Sequence, residues 1–121
     1  MAPNSADQNE QLERNTLRFL CSILIQPGTR TELLALLDAS QFANLIHRVI
    51  YEEIRAIGPV PSRTLRELLP GRVANRGFPD FEQKEFLGPS DASESEVEEL
   101  YMSVLEMVEM RHREDGSVLE N

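Results

Sequence analysis

Tryptophan is missing from these 121 residues, and aromatic side chains make up only 6% of them. A hydrophobic core must therefore be built mainly from Leu, Ile and Val. Cysteine occurs once, as Cys21, so neither an intrachain disulfide nor a Cys-based metal site can form. Cys21 sits in the apolar stretch Phe19-Leu20-Cys21 and reads as a small buried hydrophobe, without the basic neighbours that activate a thiol. Lysine also occurs once, as Lys84, and the other basic residues are Arg. The net charge of −9 argues against non-specific nucleic-acid binding, which needs cationic side chains to displace counterions.

Several motifs are missing too. There is no Gly-x-x-x-x-Gly-Lys-Ser/Thr and no Gly-x-Gly-x-x-Gly, which excludes the common phosphate-cradling loops. His47 and His112 stand far apart with no nearby His or Cys, so no zinc ligand set is visible. No apolar run approaches the ~20 residues a membrane span needs. The segment MAPNSADQNEQLERN has neither a basic start nor an apolar stretch and is not a signal peptide. The expectation is a cytoplasmic, non-enzymatic chain with no cofactor, no membrane contact and no direct nucleic-acid partner.

What is present is helical periodicity. A length of 121 residues suits one domain. Residues 1–8 are small and polar and read as a disordered leader, 9–113 as one helical domain and 114–121 as a flexible tail. The first helix is expected from Asp7–Gln11 to about Ile25, with Leu12, Phe19, Leu20, Ile23 and Leu24 on one face and Pro27-Gly28 ending it. A second is expected to start at Thr29 or Thr31, where Thr29-Arg30-Thr31-Glu32 has capping-box form, and to end near Asp38. A short turn should set these two antiparallel. The third is expected to follow a Ser40 cap and run to Ile57, carrying Phe42, Leu45, Ile46, Val49, Ile50 and Ile54, until Gly58-Pro59 stops it. Ser62 then caps a short helix to Leu69, closed by Pro70-Gly71. Residues 71–92 are irregular in pattern, yet Phe78, Phe81, Phe86 and Leu87 suggest that they pack on the domain. The last helix is expected from Ser93 or Ser95 to His112 or Arg113, with the stripe Val97, Leu100, Val104, Leu105 and Val108. No run alternates with period two for long enough to form a strand. The fold class is all-α: a small orthogonal or antiparallel bundle of about five to six helices.

Two charged segments have alternative readings. Asp91 to Glu109 is strongly acidic, which suits a solvated helix face or an acidic surface for a basic partner. Arg63, Arg66, Arg72 and Arg76 form the one locally basic segment. They either offset the acidic last helix or contact an anion.

The order LRFLCSILIQP, TELLALL, Gln41-Phe42, His47-Arg48-Val49-Ile50-Tyr51-Glu52-Glu53-Ile54 and Ser62-Arg63-Thr64-Leu65-x-x-Leu68-Leu69 resembles the N-terminal domain of DnaB-type replicative helicases. The run from Leu17 to Leu69 covers a bit under half the chain, and its Phe42–Tyr51 segment is the most specific part. Ser62 departs from the family, which usually has an acidic residue there, and the helicase ATPase motifs do not occur. The helicase-binding C-terminal domain of DnaG-type primase is similar in fold and adds a C-terminal helical segment, to which Glu94–Arg113 would correspond. The resemblance implies a protein–protein interaction module of DNA replication, with the replicative helicase or primase as partner and a possible homodimer. The candidate partner-binding residues are His47, Arg48, Tyr51 and Arg55 on the third helix, with Tyr101 and Met102 on the last; from the residues alone, His47 also reads as a half-buried histidine that hydrogen-bonds a neighbouring helix. The alternative is a small helix-turn-helix-type DNA-binding regulator that uses Arg63–Arg76.

Overall fold

A computed structural model describes residues 5–22, 25–79 and 94–119. Its elements are α1 (Ser5–Leu20), α2 (Pro27–Leu36), a 3-10 turn (Ala39–Gln41), α3 (Leu45–Ile57), α4 (Ser62–Asn75) and α5 (Glu94–Leu119). Among the described residues there is no strand, and the fold is a small all-α bundle, as the sequence pattern predicts. α1 lies along α5, while α3 packs against both α4 and α1.

α1 begins at Ser5, inside the expected leader, and ends at Leu20, five residues before Ile25. Its last turn tightens as Cys21 N donates to Leu17 O and Ser22 N to Phe19 O. Ile23 and Leu24 lie outside the described residues. Pro27 does not end α1; it opens α2. Its fixed φ already suits a helix, and its missing N–H is one that the first turn leaves unbonded anyway. The Thr29–Glu32 box therefore falls within the helix, and Thr31 Oγ1 donates back to Pro27 O instead.

Ser40 does not cap α3. It belongs to the 3-10 turn, where Asp38 accepts from Ser40 N while Gln41 Oε1 accepts from Asp38 N, a capping box of different register. The cap of α3 is Asn44, whose Oδ1 accepts from Ile46 N and His47 N. Phe42 is thus fully buried without being helical. Gly58 ends α3 at φ +87°, a conformation that side-chain-bearing residues resist.

α4 continues through Pro70 to Asn75. An interior proline costs about 3 kcal/mol. Burial opposes that cost: Leu69 and Val73, one turn apart on the same face, are both wholly inaccessible. Beyond Pro70, Arg72 Nε donates to Glu53 Oε1 and Arg76 Nη1 to Glu53 Oε2, both at 2.7 Å, tying the second half of α4 to α3. Ser62 is the first helical residue of α4 rather than its cap. Its hydroxyl is buried and donates to Ile25 O, while accepting from Arg30 Nη2. Arg30 itself is buried; its Nε donates to Leu20 O and its Nη1 to Val60 O, so one guanidinium joins α1, α2 and the α3–α4 link.

α5 runs to Leu119, past the expected end at His112 or Arg113. Its seam against the bundle contains Val104 and Met107, with Val97, Leu100 and Val108 partly buried beside them. Met107 replaces Leu105 in the stripe, and Leu105 faces outward. Phe78 packs on the core, whereas Phe81, Phe86, Leu87 and Ser93 lie outside the described residues.

Candidate docking surface

The residues singled out on α3 separate into an inner and an outer set. His47 is buried, and its Nδ1 lies 2.9 Å from Glu13 Oε1 on α1. Glu13 is buried too, and accepts from the backbone N–H groups of Ala43 and Asn44. Tyr51 is fully buried and stacked on Phe42, and its hydroxyl donates to Leu34 O at 2.7 Å and Leu37 O at 3.1 Å. Burial pushes the Tyr51 phenol above its ordinary pKa, so it remains a neutral donor. As surface contacts these two residues are corrected: their groups are taken up inside the bundle. The half-buried Arg48 donates through Nε to Phe42 O, which helps fix the bend before α3.

Arg55 is exposed. Its charge and that of Arg111 both act on Asp38 and Tyr51, which sets it near the C-terminal end of α2. There Arg111 Nη1 donates to Ala35 O and Leu37 O, two carbonyls that the end of α2 leaves without helical partners. This contact seams α5 to α2. Beside it lies a groove of about 300 Å³ lined by Ala35, Leu36, Val108, Arg111 and His112.

The outer face of α5 carries the exposed apolar groups. Met102 is 66% exposed, Leu105 41% and Tyr101 40%, and Leu36 across the seam is 51% exposed. Tyr101 is held by Phe19, with ring centroids 5.2 Å apart. Helical spacing puts Tyr101, Leu105, Val108 and His112 in one row and Glu98, Met102, Leu105 and Glu109 in the next. The result is an apolar strip with Glu98 and Glu109 at its two ends and Leu36 near Val108. Leu105 was expected in the buried stripe of the last helix; it is exposed instead, beside Tyr101 and Met102. Leu105 lies about 100° around the helix from Val104, enough to leave the seam.

Three of the four arginines of the basic segment are engaged within the fold, while Arg63 is exposed. Besides the two contacts to Glu53, Arg76 Nη2 donates to Glu52 Oε1 at 2.8 Å, and Arg66 Nη1 donates to Cys21 O. Burial disfavours the charged form of Glu53, but the bonds from Arg76 and Arg72 outweigh it and hold the carboxyl below its ordinary value. Burial pushes the Cys21 thiol up to about 12, which leaves it unreactive at neutral pH. Among the described residues no three His, Cys, Asp or Glu side chains are grouped to hold a metal ion, and no helix is long and apolar enough to cross a membrane.

Compared with protein-family models, with curated proteins and with solved structures, the chain gives no match.

Proposed function

We propose that this chain is a non-catalytic docking module that binds another protein through the outer face of α5. The observation that carries the reading is the exposure of Tyr101, Met102 and Leu105 on one side of α5, with Leu36 exposed next to Val108, Arg111 and His112. Its residues are ordered by a helix that is itself packed on α1, so the strip is presented on a firm support. Apolar anchors with a charged rim are the usual anatomy of a protein-binding face.

The resemblance of Leu17–Leu69 to helicase N-terminal and primase helicase-binding domains supplies the partner: the host's replicative helicase or primase, in the assembly or regulation of the helicase–primase complex. A DNA-contacting role for Arg63–Arg76 gains little support, because Arg72 and Arg76 spend their charge on Glu52 and Glu53. A phosphate-binding face needs those cations directed outward.

Immobilised chain should retain the helicase or the primase from purified preparations, and Met102→Glu should abolish retention without lowering the melting temperature. If the wild-type chain retains neither protein, the replication assignment is wrong.

A further inference from the structure

The charges around the strip restrict what can lie on it. From Glu94 to Glu109, α5 contains six glutamates and no Lys or Arg. Glu98 and Glu109 share the face of Met102 and Leu105 and close it at both ends, eleven residues or about 16 Å apart. Both are exposed, and among the described residues neither enters an ion pair. Arg113, one turn beyond Glu109, lines the cleft between α5 and α1.

A second copy of the chain fits this pattern badly. In a two-fold antiparallel pairing of α5 centred between Met102 and Leu105, Met102 of one copy meets Leu105 of the other, and Glu98 meets Glu109 twice over. In a parallel pairing, Glu98 meets Glu98 and Glu109 meets Glu109. Either register sets carboxylate against carboxylate at both ends of the apolar contact, which disfavours self-association.

We propose that the occupant of this face is an amphipathic helix of another protein, with an apolar centre and Lys or Arg at both ends of its contact stripe. This rests on the docking reading above and names the chemistry of the partner at that surface. Helix-on-helix packing places the partner's apolar side chains between Tyr101, Met102 and Leu105. Its terminal cations then reach Glu98 and Glu109 in either chain direction, because the acidic ends are alike.

The test uses the full chain and two helix-stabilised synthetic peptides of about 18 residues, long enough to span the face. Both carry Leu at contact spacing; one has Arg and the other Glu at the two positions eleven apart. Fluorescence anisotropy should show the Arg peptide binding about tenfold or more tightly than the Glu peptide, with the gap shrinking at high salt. The double variant Glu98→Lys/Glu109→Lys, both sites being exposed, should reverse the preference. Equal binding of the two peptides, or a preference unchanged in the double variant, overturns the proposal. So does a homodimer in sedimentation that Met102→Glu dissociates, since the occupant is then a second copy. Reversal of preference, with no binding to helicase or primase, upholds this inference and removes the replication partner. Helicase or primase binding that depends on Met102 but ignores the double variant upholds docking and removes this inference.

Discussion

Glu13 and His47 meet inside the bundle at 2.9 Å, and the same carboxylate also accepts from the N–H groups of Ala43 and Asn44. One side chain on α1 thereby fixes the start of α3. Glu13→Ala removes all three acceptor roles at a buried position and should cost about 3 kcal/mol of unfolding free energy. Urea unfolding checks this; a loss below about 0.5 kcal/mol contradicts the role assigned to Glu13.

Tyr51 was a candidate for partner contact, and its burial gives it a different role. Tyr51→Phe leaves the ring in place and removes the donor to Leu34 O and Leu37 O. A loss of about 1 kcal/mol is expected, softened because Arg111 also donates to Leu37 O. Partner affinity should not change. An affinity loss with unchanged stability contradicts the buried placement.

Arg30 is expected to tolerate no lysine. Its planar guanidinium reaches Leu20 O, Val60 O and Ser62 Oγ at once, and an ammonium cannot reproduce that fork. Arg30→Lys should destabilise by about 2 kcal/mol, measurable by thermal unfolding with circular dichroism. A melting temperature within error of the wild type speaks against the three-way tie.

Glu53 gives a pH signature. Its carboxyl is held below its ordinary value of 4.5, so the folded state favours the ionised form. That stabilisation is present above the ordinary value and is lost as pH falls through the lower folded value. Glu53→Gln should therefore be less stable than wild type near pH 7, with the difference shrinking below about pH 4 as the wild-type carboxyl becomes protonated. Unfolding curves across pH 3–7 give the comparison. A difference that grows on acidification has the wrong sign for this pairing.

The fold class was legible because the apolar periodicity of α3 and α5 is long and because Gly58-Pro59 is an unambiguous stop. Boundaries were less legible where one residue type serves two purposes. Pro27 can end a helix or begin one, and only the early finish of α1 at Leu20 decides which. Pro70 is a breaker by local propensity, yet the burial of Val73 and the contacts of Arg72 and Arg76 to Glu53 lie beyond it and carry the helix through. Ser40, Asp38 and Asn44 are all good caps, and tertiary packing chooses among them.

The candidate surface was half legible. Tyr101 and Met102 stand at the exposed positions expected of them, but His47 and Tyr51 are buried. A His at the edge of an apolar stripe reads either as a group bonded to a neighbouring helix or as a rim contact until its partner is known. Glu13, the partner of His47, is 34 residues away in sequence. Leu105 was placed in the buried stripe by its spacing, and its exposure follows from a seam that runs through Val104 and Met107.

Docking of a partner on the outer face of α5 can be followed residue by residue through methyl NMR of the labelled methionines. Met102 lies on that face, whereas Met110 lines the cleft toward α1. On titration with the Arg-bearing peptide or the host's helicase, the Met102 methyl signal should shift or broaden while the Met110 signal stays in place. A shift at Met110 with Met102 unmoved, or no shift at either under saturating partner, rules out docking on this face.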